Sequence, residues 1–142
     1  MRTNLVANAA VTINAPAARV WRALVTPAEI KQYMFGTDVT SDWKEGSPIT
    51  WKGEWKGKVY EDKGVIKSVK PQQRLQYTHF SPLAGLPDKP ENYHTVTIEL
   101  AAMGDATRVR LSQDNNATEE ARDHSQKNWE TMLGALKSFV QG

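Results

Sequence analysis

The sequence predicts an α+β fold in which helices cover one face of a curved antiparallel sheet. A strand pattern followed by two short helix patterns opens the chain, and a run of strands punctuated by Gly and Pro fills its middle. One long amphipathic helix pattern ends it. Helices and strands segregated in this order are typical of α+β proteins. Since 142 residues is about the length of one domain, we expect residues 1–142 to form a single domain.

The N-terminal strand is predicted by the alternation in "NLVANAAVTINA", where one face carries Leu5, Ala7, Ala9, Val11 and Ile13. Pro16 then suits a first helical turn, and apolar residues follow at helical spacing. The stretch "TPAE" predicts that a second helix begins at once, with Thr26 as its cap, Pro27 in the first turn and Glu29 completing a capping box. Two short helices should therefore meet at a corner.

The middle of the chain, from about Thr37 to Asn115, has the composition of a series of strands. The segments "SPITWKG", "KVYEDKGVIKSVK", "RLQYTHF", "YHTVTIELAA" and "TRVRLSQD" are rich in β-branched and aromatic residues. "MGDA" predicts a short hairpin connection, and the Pro-rich stretch Ser81–Asn92 is long enough to suggest a functional loop.

The C-terminal helix, predicted over about Thr118–Val140, has an uneven apolar stripe. Its C-terminal half, "WETMLGALKSFV", is heavily apolar, whereas the first half offers only Ala121 and Ser125 on the same face. This unevenness suits a cavity between helix and sheet. The alternative is that the first turns simply overhang into solvent.

The lining of such a cavity follows from the alternation along the strands, with apolar faces turned inward. Aromatic side chains with a few polar groups are typical of small-molecule sites. We therefore predict a lining that consists of Trp51, Trp55, Tyr77, His79, His94, Val96, Ile98, Val109, Leu111, Ser125, Trp129 and Met132.

The stretch "ITWKGEWKGKVYEDKG" mixes aromatic and basic residues, as surfaces that bind nucleic acid do. Alternation separates them, because Ile49, Trp51 and Trp55 share one face and lysines occupy the other. The pattern therefore favours a cavity or core wall. The near-balanced net charge of +2 likewise calls for no polyanionic partner, so we expect no nucleic acid.

Other function classes lack their motifs. The chain has no cysteine and only three scattered histidines, so we expect no metal and no cofactor. No P-loop, nucleophile elbow or dinucleotide fingerprint occurs. Four acidic residues are predicted to face solvent on the strands, namely Glu54, Glu61, Asp62 and Glu99. No apolar run suggests a signal peptide or membrane insertion, and we expect a cytoplasmic protein.

Several segments together resemble the heat-shock-protein-90 ATPase activator homologue family of the START-like (SRPBCC, birch-pollen-allergen fold) superfamily. The resemblance covers about Val11–Val140 and is carried by "VTINAPAARVWRALVTPAEI", "SDWKEGSPITWKG", "GVIKSVKPQQRLQYTHF", "YHTVTIEL", "TRVRLSQ" and "NWETMLGALKSFV". It implies a helix-grip fold, in which a seven-stranded antiparallel sheet wraps around the C-terminal helix and encloses a cavity for apolar ligands. Many relatives carry tryptophan near Tyr33–Met34, so "KQYMFG" implies a reshaped cavity mouth.

Three functions follow as hypotheses. The first is a non-enzymatic binding module for a small apolar or aromatic molecule, acting in stress response or detoxification and without catalytic residues. The second, by resemblance to superfamily enzymes, is cyclase- or hydrolase-like chemistry with His79, His94 or Tyr77 as acid–base groups. The third, implied by the family, is a module that acts on a chaperone.

Overall fold

The computed structural model describes residues 4–55, 57–82 and 85–142, with the side chain of Trp55 outside the described part. The first elements are β1 (Ala7–Ile13), α1 (Ala17–Val25) and α2 (Pro27–Tyr33). The later strands are β2 (Asp38–Ser41), β3 (Pro48–Trp55), β4 (Lys58–Lys70), β5 (Arg74–His79), β6 (His94–Met103) and β7 (Ala106–Gln113). The last helix, α3, spans Glu119–Gln141, close to the predicted bounds. The predicted α+β class and element order are confirmed.

The strands of the described residues form one seven-stranded antiparallel sheet in the order β1-β7-β6-β5-β4-β3-β2. Its register aligns apolar side chains in rows across the concave face. Leu75 pairs with Ile98, Ile98 with Leu111, and Leu111 with Ala9, and all four are buried. Because side chains alternate between faces, a slip of one residue would turn this whole row to solvent. The helix-grip architecture implied by the family resemblance is therefore confirmed.

Helix α3 lies in the grip of the sheet, and its C-terminal half is the part that is packed. Met132, Leu133 and Leu136 are buried, and Leu136 has no exposed surface. At the other end, the hydroxyl of Thr118 accepts a hydrogen bond from the backbone N–H of Ala121 at 3.0 Å. This cap fixes where the helix begins, since it satisfies one of the free donors of the first turn.

The corner between α1 and α2 differs from the predicted capping box. Thr26 is the N-cap of α2, but its side chain makes no capping hydrogen bond. Glu29 turns instead toward α1, where its two oxygens lie 2.6 Å from Arg19 and 3.2 Å from Arg22. Two guanidinium groups are stronger partners for a carboxylate than one backbone N–H. The capping-box prediction was therefore wrong, although the corner itself is where it was expected.

The opening half of the β3–β4 hairpin separates its aromatic and basic residues as the alternation predicts. Ile49 and Trp51 are buried, whereas Lys52 and Lys58 are exposed. The predicted hairpin between β6 and β7 is also present, with Gly104 at a φ of +64° in the turn, a conformation that favours glycine. No helix among the described residues is long and apolar enough to cross a bilayer.

Candidate functional site

A cleft of about 720 Å³ lies between the N-terminal half of α3 and the sheet. The helix contributes residues at helical spacing, which places them on one face: Ser125, Asn128, Trp129 and Met132, with His124 and Thr131 beside them. The small side chain of Ser125 leaves this wall recessed toward the N-terminus of α3. Toward the middle of the helix the buried side chain of Met132 makes the wall apolar. The indole N–H of Trp129 donates to the side-chain oxygen of Gln113, which fixes the ring against the end of β7.

The opposite wall comes from the turn after α2 and from the β3–β4 hairpin. Met34, Phe35 and Thr37 line the cleft from the turn, and Tyr60 lines it from β4. The hydroxyls of Thr37 and Tyr60 are 2.9 Å apart and hydrogen-bonded. A Cβ at Gly53 would lie 2.5 Å from the Tyr60 hydroxyl, so the glycine makes room for the tyrosine ring to lie across β3.

Phe35 stands at the rim of this wall. The residue is 75% exposed, and its φ of +57° is in the left-handed region that non-glycine residues rarely adopt. An aromatic ring held in water at the mouth of a cleft contributes little to the fold.

His79, at the end of β5, forms the polar part of the cleft floor. Its Nε2 lies 2.9 Å from Oδ2 of Asp62 on β4. The imidazole also packs edge-on against Trp51, with ring centroids 5.0 Å apart, and stacks at 6.3 Å on His94. When Nε2 donates its hydrogen to the carboxylate, Nδ1 of the neutral ring is left as an acceptor.

Asp62 is held between this histidine and the interior. Its side chain is 15% exposed, and its second oxygen, Oδ1, is buried without a hydrogen-bond partner among the described residues. The prediction that Asp62 faces solvent was therefore wrong. Asp62 shares a strand face with Gly64 and Ile66. Both of these residues are buried, so this face of β4 is turned toward the interior.

A smaller recess of about 80 Å³ lies beneath the cleft and shares five lining residues with it: Met34, Thr37, Tyr60, His79 and Trp129. Trp51, Asp62 and Tyr77 complete its wall. Burial raises the pKa of Tyr77 well above its usual value, so its hydroxyl stays protonated. Within the described part of the chain that hydroxyl has no hydrogen-bond partner, which leaves a donor available at the bottom of the site.

The predicted lining residues fall into four groups. His79, Ser125, Trp129 and Met132 line the cleft, and Trp51 and Tyr77 line the recess. Val96, Ile98, Val109 and Leu111 lie in the closed core. His94 lies beside the cleft, where its Nδ1 is 2.8 Å from the backbone oxygen of Asp114. The predicted role of the Trp55 side chain falls outside the described residues.

Sequence reasoning missed the wall opposite the helix. Phe35 and Thr37 line the cleft from the turn after α2, and Tyr60 lines it from β4. The departure noted at "KQYMFG" was the one signal in the sequence, and Met34 and Phe35 within it do line the cleft mouth. Among the described residues, no cluster of three or more His, Asp or Glu side chains is arranged to hold a metal ion.

The family of the chain follows from its sequence. Residues 14–141 match the family described as activator of Hsp90 ATPase homolog 1-like protein. The chain belongs to this family. Its fold is that of the START-like superfamily, as the sequence resemblance implied. No curated protein sequence is significantly similar to the chain.

Solved structures of family and superfamily type have the same fold. A solution structure from Cytophaga hutchinsonii is 58% identical, with 99% of this chain and 97% of that chain aligned and a TM-score of 0.86. The Aha1 dimer from Colwellia psychrerythraea is 19% identical over 95% of both chains, with a TM-score of 0.73. DynU16, a protein of the dynemicin biosynthetic locus, is 16% identical, with a TM-score of 0.80, and the alignment covers 98% of this chain but 48% of that one.

Proposed function

We propose that this family member binds one small apolar or aromatic molecule in the cleft between α3 and the sheet. The observation that carries the proposal is the cleft itself, whose volume of about 720 Å³ lies within the range of small-molecule sites. Trp129, Met132 and Met34 supply apolar surface, and Phe35 at the rim supplies a ring that can cover the guest. Burial of apolar surface then drives binding.

The polar groups of the floor orient the guest in this proposal. The Tyr77 hydroxyl offers a donor, and the His79 ring nitrogen offers an acceptor. The paired hydroxyls of Thr37 and Tyr60 can serve as either. A ligand with one hydroxyl or carbonyl at the end of an aromatic or alicyclic body would place that group in the recess. A purely aliphatic ligand would leave these groups unpaired and bind less tightly.

Native mass spectrometry of the protein purified from its own host tests the proposal. We expect an adduct that disappears on organic extraction, and an extracted compound that rebinds with one-to-one stoichiometry. The proposal is contradicted if the protein has the bare chain mass and also fails to bind any member of a panel of fatty acids, sterols and aromatic polyketides.

The Asp62–His79 pair favours acid–base catalysis as a second candidate. A carboxylate that holds one imidazole nitrogen leaves the other to accept a proton from a bound substrate. His79 lines the cleft, so such a substrate would lie within its reach. If an activity on a cleft ligand is found, the variant His79→Gln should abolish turnover and leave ligand affinity within about threefold. Unchanged turnover in this variant would exclude the candidate.

The family description makes chaperone activation a third candidate. Its direct test is the ATPase rate of the cognate heat-shock protein 90 with and without this protein. An unchanged rate at saturating concentration, together with no complex in gel filtration, would exclude it.

A further inference from the structure

A second concavity, of about 470 Å³, lies on the face of the sheet turned away from α3. The alternation of side chains along the strands assigns the concavity to this outer face. Leu75, Ile98 and Val109 point into the core, so their neighbours in sequence point outward. Those neighbours include Arg74 on β5, Glu99 on β6, and Arg108 and Arg110 on β7, with Lys70 at the end of β4. No residue lines both this concavity and the cleft.

The strand register gathers these side chains into two short rows. Arg74 is opposite Glu99, and Glu99 is opposite Arg110. In the next row Arg108 is opposite Ala101, whose methyl group leaves the space that a larger side chain would fill. Three arginines therefore line a shallow hollow between β5, β6 and β7. The guanidinium of Arg108 also donates a hydrogen bond to the hydroxyl of Thr12 on β1 at 3.0 Å, so Arg74 and Arg110 are the two that have no side-chain partner among the described residues.

The charge of the hollow is not balanced locally. Four cations face one carboxylate, which leaves a net charge of +3, more than the +2 of the whole chain. Glu99 forms no ion pair with these cations, and Arg74 and Arg110 pair with no other carboxylate of the described residues. Positive charges that are held close together without a carboxylate partner attract an anion.

Arg74 adds an observation that is independent of charge. Its Nε atom is buried and has no hydrogen-bond partner within the described residues. A buried donor without an acceptor is unfavourable, whereas an arginine on a solvated surface would satisfy it with water. Through Nε this guanidinium is therefore held by no acceptor of the described residues, and a ligand oxygen in the hollow would reach Nε only after the side chain moved.

We propose that this concavity binds the phosphate group of a small phosphorylated molecule. Guanidinium groups present parallel N–H donors that match phosphate oxygens in bidentate geometry, and three of them line the hollow. The hollow is larger than one phosphate group, so a phosphate ester or a diphosphate suits it better than a single inorganic anion. Glu99 lies in the middle of the Arg74–Glu99–Arg110 row, where its negative charge would repel a bound anion.

The test is a titration of the ¹⁵N-labelled protein with inorganic pyrophosphate at low ionic strength, followed by amide chemical shifts. We expect saturable shifts on β5, β6 and β7 around Arg74, Glu99 and Arg110. The variant Arg110→Gln should weaken binding about tenfold, the equivalent of about 1.4 kcal/mol. Glu99→Gln should strengthen pyrophosphate binding severalfold. A variant that had merely lost structure would bind more weakly, so this gain would be specific. Lys127→Gln, an exposed charge on α3 outside the concavity, is the matched control and should bind as the wild type does.

Three outcomes would overturn the proposal. One is the absence of saturable shifts with pyrophosphate, and another is equal affinity in Arg110→Gln and Lys127→Gln. The third is binding of a single-stranded oligonucleotide through these residues without binding of pyrophosphate, which would assign the hollow to a nucleic-acid backbone.

Discussion

His79 Nε2 and Asp62 Oδ2 are 2.9 Å apart, and this hydrogen bond joins β5 to β4 at the junction of the cleft and the recess. Both side chains are mostly shielded, with 27% and 15% of their surface exposed. The pair fixes the orientation of the imidazole, which is one of the polar groups that line the cleft. The strength of this hydrogen bond can be measured against that of an exposed ion pair between β3 and β4.

A double-mutant cycle with Asp62→Asn and His79→Gln should give a coupling free energy of about 1.5 kcal/mol, as expected for a shielded hydrogen bond to a charged group. Lys52 and Glu61 provide the control, since they are 3.4 Å apart with more than half of each side chain exposed. Their coupling should stay below about 0.5 kcal/mol. Urea unfolding measures both cycles, and equal couplings would show that the His79–Asp62 bond has no special strength.

Gly64 allows β4 and β5 to approach each other closely. A Cβ at this buried position would lie 1.7 Å from the carbonyl oxygen of Thr78. Gly64→Ala should therefore lower the free energy of unfolding by about 3 kcal/mol, the upper end of the usual cost of overpacking. The fall would be read from the urea midpoint at constant m-value.

Gly134, in the middle of α3, is the matched control for Gly64. A Cβ there meets nothing within 4 Å, so Gly134→Ala should raise stability by about 0.5–1 kcal/mol through helix propensity alone. If the two substitutions changed stability in the same direction, the close approach of β4 and β5 at Gly64 would be contradicted.

Two buried tyrosines predict a loss of stability at alkaline pH. Burial raises the pKa of Tyr33 and of Tyr77 well above the usual value of about 10. Above that pH the unfolded chain releases both protons while the folded chain keeps them. The free energy of unfolding should therefore be unaffected below pH 10 and should fall above it by up to about 1.4 kcal/mol per pH unit for each tyrosine.

Tyr77→Phe isolates one of these contributions. The Tyr77 hydroxyl has no partner among the described residues, so the variant should cost little stability at pH 8. Urea unfolding between pH 8 and pH 11 should then show a shallower decline than in the wild type. A decline of the same slope in both proteins would mean that Tyr77 ionises in the folded state.

The sheet and the helix could be predicted from the sequence because both depend on local periodicity. Alternation placed Leu75, Ile98 and Leu111 inside, and the polar first half of α3 marked where the helix leaves the core. Strand order and the curl of the β3–β4 hairpin depend on contacts between distant residues, which periodicity does not specify. The wall formed by Phe35, Thr37 and Tyr60 was missed for that reason.

The inward orientation of Asp62 was not predicted, for a different reason. A carboxylate on a strand is exposed in most proteins, and that expectation outweighed the alternation that placed Asp62 with Gly64 and Ile66. Its partner, His79, is 17 residues away in sequence on the neighbouring strand. Pairing of β4 with β5 brings the two together, so only the sheet register reveals the polar floor of the cleft.

The measurement that tests the central claim most directly is a titration of the wild type and of Ser125→Phe with N-phenyl-1-naphthylamine, an uncharged apolar aromatic probe. Ser125 lines the cleft, and a phenyl ring there would fill part of it. Ser138→Phe, the same substitution at an exposed position of α3 outside the cleft, is the control. Urea unfolding would establish that all three proteins are folded.

We expect one saturable site in the wild type and in Ser138→Phe, with affinity at least about tenfold weaker in Ser125→Phe, the equivalent of about 1.4 kcal/mol. Equal affinity in all three folded proteins would contradict binding in the cleft.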